Sequence, residues 1–368
     1  MYQNRLSTIL CFCLFFTASI SYAQITITNS DLTQYYQIGS VVTFNLDTMD
    51  TNVMLDIGSP GGGNTWDFSN VQQNLISEQQ MILDPAGTPG AANYGDANIA
   101  IFFDFQDEEG SGSIYNYLDF DATGINFLGS YSTVQVDGST SVTTTTYNPV
   151  ERTLSLPLAF NDTWSYQGKL AITTTFGGAS FPINESDESN TYQVDAYGTL
   201  TFPDGSSEAA LRVRQLTTST SELIPNFPIT STSLSFLFIT KSGATLSVDA
   251  VNENAANQGM ILGSLSWTTS SGVSSTKDLE TLGYSLPAIS PNPVSRNTMI
   301  DYSVPETGNI RISLFDQNGR MVKSVFNGRQ LAGGNRVELD VTDLAAGQYY
   351  LSLIAKEGIL TRKVVVQR

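Results

Sequence analysis

The side chains of this sequence that could carry chemistry are carboxylates and tyrosines, because the chain contains no histidine and its two cysteines lie in the N-terminal apolar run. Ser-His-Asp and Cys-His catalysis and soft-metal sites are therefore excluded. The densest acidic cluster consists of Asp104, Asp107, Glu108 and Glu109. Paired carboxylates can perform acid–base catalysis or glycoside hydrolysis when held at a fixed separation. The same composition is typical of a solvated hairpin loop, so no catalytic residue is assigned.

A second candidate is a row of aromatic and acidic side chains in a predicted strand over residues 114–121. Alternation places four of them on one side of that strand: Tyr115, Tyr117, Asp119 and Asp121. Exposed tyrosines can stack on a sugar ring while carboxylates accept hydrogen bonds from its hydroxyls. Cross-strand packing of the tyrosines on an outer sheet face explains the row equally simply and is favoured. The row is thus a speculative ligand face.

Charge is divided unevenly along the chain. The segment from Gln24 to Leu286, called the body below, has 28 acidic and 6 basic residues, whereas residues 287–368 have 7 and 10. The acidity excludes nucleic-acid binding, which needs basic patches, and is explained by solubility at an exposed surface. It also fits Ca²⁺, which takes oxygen ligands. However, the segment 119–124 lacks the spacing of a calcium loop and favours a turn, so no cofactor is predicted beyond that Ca²⁺ alternative.

The elements that must position these side chains are strands. Residues 99–105 and 113–120 predict neighbouring strands joined through 107–110, and residues 199–202 and 210–214 predict a hairpin. Only residues 70–83 suggest a helix. The fold class is therefore all-β. The body is predicted to be a β-sandwich, either one large unit or two modules with a split near residues 149–157.

The last segment, residues 287–368, predicts a separate small sandwich. Ile310, Ile312 and Leu314 alternate with polar residues, as half-buried antiparallel strands do. Breaks follow at 316–319 and 346–347, where asparagine and glycine tolerate tight turns. The spacing of these short strands indicates a small Ig-like β-sandwich.

Four motifs in this segment resemble those of a known family. They are Pro291-Asn292-Pro293, the run 310–320 ending in Gly319-Arg320, the run 344–350 containing Gly347, and the terminal run 363–367 beginning with Lys363. Together they resemble the type A C-terminal sorting domain of the Bacteroidota type IX secretion system, although Ala345 stands where that family more often has proline. The resemblance implies recognition by the secretion machinery, removal by a surface peptidase and, often, anchoring to lipopolysaccharide.

The N-terminus predicts export as well. Arg5 precedes an apolar run that contains Cys11 and Cys13, and a small-residue site ends at Ala23 before Gln24. Residues 1–23 are therefore predicted to be a signal peptide, cleaved between Ala23 and Gln24 after Sec export to the periplasm. No apolar stretch of membrane-spanning length follows, so no transmembrane segment is expected.

Two body segments resemble recurring parts of secreted Bacteroidota surface proteins that imply no activity. They are residues 63–69, and residues 156–164 together with 197–213. The leading hypothesis is a secreted or surface-anchored non-enzymatic protein for adhesion or glycan binding. The alternatives are a carboxylate-based extracellular polysaccharide hydrolase and a structural surface component. The ligand, substrate and oligomeric state stay open.

Overall fold

The protein is built almost wholly of β-strands. The computed structural model describes residues 25–47, 53–71, 75–106, 111–136, 139–224, 227–271, 279–280, 282–316, 321–355 and 358–368. In the first part of the body the elements are β1 (Thr26–Ile27), α1 (Asn29–Leu32), β2 (Val41–Asp47), β3 (Val53–Asp56), β4 (Gly61–Asp67), β5 (Leu75–Leu83), a 3-10 turn (Ala91–Asn93), β6 (Ile99–Gln106), β7 (Ser111–Asp121) and β8 (Gly124–Val136).

The strands of the second part of the body are longer. They are β9 (Ser139–Ser155), β10 (Leu158–Ala159), β11 (Thr163–Phe176), β12 (Ala179–Thr201), β13 (Ser207–Ile224), β14 (Phe227–Thr240), β15 (Thr245–Ala250) and β16 (Met260–Ser271). Their runs of threonine and other β-branched residues favour extended backbone.

Twelve of these strands form one antiparallel sheet that closes on itself. The order is β11, β9, β8, β7, β6, β5, β2, β16, β15, β14, β13, β12, and β12 pairs back with β11 from Trp164↔Tyr192 to Phe176↔Ala179. The all-β class is confirmed, but the predicted sandwich is wrong for the body. Alternation of apolar and polar residues looks the same in a sandwich and in a closed sheet, so the sequence could not separate them.

The interior of the closed sheet is apolar at one end. Strands all around the sheet contribute to this core: Val42, Ile82, Ile99, Leu118, Ile125, Leu154, Val194, Leu211, Val213 and Ile239. Ile27 of β1, Leu32 of α1 and Leu158 of β10 are fully buried against it and cover that end. The predicted hairpins 99–120 and 199–214 are confirmed by the pairings of β6 with β7 and of β12 with β13.

Of two other expectations for the body, the helix at residues 70–83 is wrong, and the possible split near residues 149–157 stays a prediction. The segment predicted to be helical at 70–83 contains the strand β5, because Ile76, Gln80 and Ile82 pair with β2 and β6 rather than form a helical face. Strands before and after residues 149–157 join the same closed sheet, and β9 runs continuously to Ser155.

A strap formed by residues 53–71 covers the outer face of strands β12–β16. Within it, β3 pairs with β16, and β4 pairs in parallel with the end of β12. Trp66 and Phe68 of the strap are buried against Phe238 of the sheet. Two of the segments that resemble parts of secreted surface proteins, residues 63–69 and 197–213, therefore lie side by side. The reason is that β4 contains residues 63–67 and pairs with residues 196–201. Gly198 permits this contact, because a Cβ there would lie 2.1 Å from the carbonyl oxygen of Asn64.

The C-terminal unit is a small two-sheet sandwich, as predicted. One sheet pairs β17 (Asn297–Val304) with β20 (Gly333–Asp340), and the other has the order β19 (Met321–Gln330), β18 (Gly308–Phe315), β21 (Gly347–Ala355), β22 (Gly358–Val366). Ile310, Ile312 and Leu314 of β18 point into the core between the sheets, as their alternation predicted. The alternate residues of that strand face the body.

Candidate functional site

The candidate site lies inside the closed sheet, beyond its apolar end. Alternation along β12 directs Ser186, Glu188, Asn190 and Tyr192 inward with Val194, and all of them are buried. Side chains from β9 and β11 meet them there. We call the following residues the polar cluster: Tyr147, Glu151, Tyr166, Glu188, Asn190 and Tyr192.

Glu151 is the centre of one half of the polar cluster. It is only 4% exposed, and its Oε1 accepts hydrogen bonds from Asn190 Nδ2 and, at 2.5 Å, from the Tyr192 hydroxyl. The Tyr192 hydroxyl also accepts a hydrogen bond from Gln215 at 3.3 Å. Asn190 Oδ1 is buried and has no hydrogen-bond partner among the described residues. A buried acceptor without a partner is unfavourable unless something else donates to it.

Glu188 forms the other half. It is 8% exposed, and its Oε1 accepts hydrogen bonds from Ser186 Oγ at 2.6 Å and from Ser219 Oγ at 2.7 Å. Both carboxylates are therefore held by neutral donors rather than by a lysine or an arginine. This leaves the interior with negative charge that hydroxyl or amide donors stabilise.

Tyrosine and tryptophan rings surround the two carboxylates. Trp164 stacks on Tyr192 with ring centroids 4.8 Å apart and planes 7° from parallel, and Tyr147 packs edge-on against Tyr166. Burial raises the pKa of Tyr147 and of Tyr166 to about 12, and the charges of Glu151 and Glu188 add to this effect. These hydroxyls therefore stay protonated at neutral pH, and the Tyr166 hydroxyl donates a hydrogen bond to the Pro149 carbonyl oxygen at 3.0 Å.

Farther along the same interior, the lining consists mainly of partly exposed hydroxyl side chains. Adjacent strands contribute Thr143, Thr174, Ser235, Ser247, Ser264 and Ser266. At the tips of the long hairpins, Phe176, Phe181 and Phe227 are 52%, 51% and 68% exposed. Register places these rings on the interior side of their strands. The side chains that line the interior are thus apolar at one end, carboxylates and tyrosines next, and serine and threonine hydroxyls beyond them. Aromatic rings lie at the far edge.

This arrangement can bind a polar, hydroxyl-rich molecule that carries no negative charge. Carboxylates and Asn190 Oδ1 accept hydrogen bonds, the serine hydroxyls farther along the lining donate them, and aromatic faces pack against C–H groups. Sequence reasoning missed this site. Residues 186, 188, 190 and 192 alternate with Asp187, Ser189 and Thr191, which are polar as well. The sequence therefore did not indicate which side of this strand faces the interior.

The ligand face predicted from the sequence is not an exposed platform. Tyr115, Tyr117 and Asp119 do leave β7 on one side, but Tyr115 is 8% exposed and Tyr117 is fully buried. The segment around the 3-10 turn covers them: Tyr94 stacks on Tyr117, whose hydroxyl accepts a hydrogen bond from Gly90 N. These rings pack the outer sheet face, which was the favoured interpretation.

The two aspartates of that row accept hydrogen bonds within the protein, Asp119 from two asparagine side chains and Asp121 in a turn. Asp119 accepts hydrogen bonds from Asn98 and Asn126. Asp121 accepts bonds from the backbone and hydroxyl of Thr123, which lower its pKa, and so closes the turn between β7 and β8. Among the described residues, no group of three or more acidic, histidine or cysteine side chains is arranged to hold a metal ion.

The acidic cluster at 104–109 is only partly within the described residues, which include Asp104 but not 107–110. Asp104 lies at the contact with the C-terminal unit. Its carboxylate accepts hydrogen bonds from Arg311 and Asn327 of the C-terminal unit. Burial raises the pKa of Asp104 despite the nearby guanidinium.

The structure brings together motifs from both ends of the C-terminal unit. Asn292, between Pro291 and Pro293, donates a hydrogen bond to the Lys363 carbonyl at 3.0 Å and accepts one from Val365 N at 2.8 Å. The side chain thus fixes the entry of the unit against its last strand. Gly347 begins β21, whereas Gly319 lies outside the described residues, as do Ala23 and Gln24 at the predicted cleavage site.

Comparison with known families identifies the C-terminal unit. Residues 288–367 match the family of the secretion system C-terminal sorting domain. This part of the chain is therefore a type IX sorting domain, and the protein is secreted to the cell surface or beyond it. Within the described residues, no helix has the length and apolar character needed to cross a membrane.

The body has weaker likenesses. No curated protein matches the sequence. One solved structure, "Polysaccharide Lyase BACCELL_00875", aligns with 93% of this chain and 42% of its own length, at 10% identity and a TM-score of 0.18. The chain thus spans less than half of that protein, and a likeness this low carries no argument about fold or activity.

Proposed function

We propose that the protein is a surface-exposed carbohydrate-binding protein whose ligand enters the interior of the closed sheet and contacts the polar cluster. The observation that supports this most is the buried group of Glu151, Asn190 and Tyr192, in which Asn190 Oδ1 has no partner among the described residues. A sugar hydroxyl would supply the missing donor. The Trp164–Tyr192 stack next to it offers the apolar surface that the C–H face of a pyranose requires.

The lining outside the polar cluster also suits a carbohydrate. Serine and threonine hydroxyls both donate and accept hydrogen bonds, so they adapt to a chain of sugar hydroxyls. Because the carboxylates are held by neutral donors, an anionic polysaccharide would be repelled there. The proposed ligand is therefore a neutral or amino-bearing glycan.

The test is a glycan array and calorimetric titration on the full-length protein, followed by the variants Glu151→Gln and Asn190→Ala. Each variant should reduce the affinity for the bound glycan by at least about tenfold, since Glu151→Gln replaces an acceptor oxygen by an amide donor and Asn190→Ala removes the unpaired Oδ1. Thr191→Ala is the matched control, because Thr191 lies between Asn190 and Tyr192 on β12 but is exposed on the outer side. Absence of binding to any glycan, or equal affinity in all variants, would contradict the proposal.

The hydrolase alternative has one observation in its favour. Glu151 and Glu188 both act on the pKa of Tyr147 and Tyr166, so the two carboxylates share one interior region. Paired carboxylates are what glycoside hydrolysis needs. Release of reducing ends from a polysaccharide, abolished by Glu151→Gln and by Glu188→Gln, would establish that activity. Removal of the sorting domain by a surface peptidase and anchoring to lipopolysaccharide stay predictions from the family resemblance.

A further inference from the structure

One buried arginine of the sorting domain, Arg311, enters the outer face of the closed sheet. Arg311 of β18 is 6% exposed and donates hydrogen bonds to the Asp104 carboxylate and, at 3.3 Å, to the Gln79 carbonyl oxygen. Its guanidinium carbon lies 5.5 Å from the centre of the Phe102 ring. A carboxylate, a carbonyl and an aromatic face around one cation form the surroundings that a guanidinium favours.

The body supplies all of these groups, together with nearby negative charge. Phe102 and Asp104 lie on β6, and Gln79 lies on β5. Glu78 is close enough for its charge to act on Arg311, and the Tyr115 ring packs against Phe102 at 4.8 Å. The site is therefore a property of the body, and Arg311 is its occupant from another domain.

The occupant fits the site incompletely. Arg311 Nε is buried without a hydrogen-bond partner among the described residues, and so is Ser313 Oγ two residues farther along the same strand. The contact on this side also includes Phe315, Met321 and Ile354 of the sorting domain, packed near Phe102 and Tyr115. Buried donors that stay unpaired weaken a contact, since water would satisfy them after separation. This interface therefore suits a domain that can leave.

We propose that Phe102, Asp104 and the Gln79 carbonyl form a guanidinium-binding site, which Arg311 occupies in the full-length chain. When the sorting domain is displaced, the site takes an arginine side chain of another polypeptide. Lysine is a poorer occupant, because a compact and strongly hydrated ammonium neither forms a planar fork nor stacks on a ring. The sorting domain in this way keeps the site closed until it moves away.

The experiment uses the full chain with Arg311→Ala and the probe N-acetyl-arginine amide, with binding followed by calorimetry. Saturable binding to Arg311→Ala, at least about tenfold tighter than to the unaltered protein, is expected, because the substitution vacates the site and also removes the Arg311 hydrogen bonds that hold the sorting domain over it. The citrulline analogue, which has the same shape without the charge, should not bind. Adding Asp104→Asn to Arg311→Ala should abolish binding of the arginine probe.

Arg336→Ala is the matched control, because it removes an exposed arginine of the same domain that pairs with Asp301. Arg336→Ala should bind N-acetyl-arginine amide no more tightly than the unaltered protein does. Equal binding of the probe to all variants, equal binding of the citrulline analogue, or no binding to Arg311→Ala would overturn the proposal. If Arg311→Ala does not fold, Arg311→Gln is tested in the same way, with the same outcomes deciding.

Discussion

Two buried arginines hold two different parts against the closed sheet, and they do so in different ways. Arg212 is completely buried on the outer face under the strap and forms a two-bond pair with Asp195, at 2.8 and 2.9 Å. It also donates hydrogen bonds to the carbonyl oxygens of Ile57 and Asn257. Arg311, under the sorting domain, leaves its Nε unpaired. Arg212, whose guanidinium nitrogens all have hydrogen-bond partners, holds a strap that stays packed on the sheet. Arg311, which has an unpaired nitrogen, belongs to a domain that can separate from the sheet.

The two surroundings explain the difference. The Ile57 carbonyl also accepts a hydrogen bond from the Trp66 indole at 2.8 Å, so strap and sheet share one network. The Arg212 guanidinium lies 5.2 Å from the Phe236 ring centre within a large apolar cluster. At the sorting domain, by contrast, serine, asparagine and arginine contribute much of the buried face, including Ser313, Ser352 and Asn327. Polar contacts of that kind exchange readily with water.

The largest expected effect is that of Arg212→Met. It removes the donor of the buried Asp195 carboxylate and the Arg212 hydrogen bond to the Asn257 carbonyl, while the Ile57 carbonyl keeps its bond from Trp66. Breaking a buried pair from one side costs about 3–5 kcal/mol. Urea unfolding of the body should show this loss, whereas the neighbouring Arg214→Ala should change stability by less than about 0.5 kcal/mol. Equal effects of the two substitutions would show that Arg212 does not hold the strap.

A smaller effect is expected from Arg311→Met. Methionine removes the unpaired Nε and keeps contact with Phe102, while Asp104 retains its hydrogen bond from Asn327. The cost should be about 1–2 kcal/mol and should appear as earlier separation or melting of the sorting domain, with the body unchanged. Scanning calorimetry resolves the two parts. A loss as large as that of Arg212→Met would abolish the distinction between the two contacts.

The smallest effect concerns Glu78 and depends on pH. Burial, followed by the charge of Asp104, raises the pKa of Glu78 above its ordinary value of 4.5. Above the raised pKa, Glu78 is ionised in the folded protein, and its buried charge lowers the free energy of unfolding. Below pH 4.5, Glu78 is protonated in both the folded and the unfolded protein, so this destabilisation is absent. Glu78→Gln should slightly stabilise the protein at neutral pH, and the gain should vanish in acid. A gain that persists in acid would point to packing instead.

Sequence patterns predicted local structure well wherever one face of a strand is apolar. Ile310, Ile312 and Leu314 face the sandwich core as their alternation indicated, and the hairpin at 199–214 forms as its turn chemistry indicated. The patterns did not predict which side chains are exposed on strands whose two faces are both buried or both polar. Tyr115 and Tyr117 were candidates for an exposed row, yet a loop and a second domain cover them. Glu188 and Asn190 looked like an ordinary polar strand, yet they face the interior.

The sequence by itself determined the strand content, the absence of histidine and thiol chemistry in the body, and the sorting domain with the destination it implies. These properties depend on composition, on period-two alternation and on short motifs close together in the chain. Closure of the sheet, burial of Glu151 beside Asn190, and entry of Arg311 into the outer face were decided only by the tertiary structure. Each of these depends on pairing between residues far apart in sequence, which alternation along a single strand does not encode.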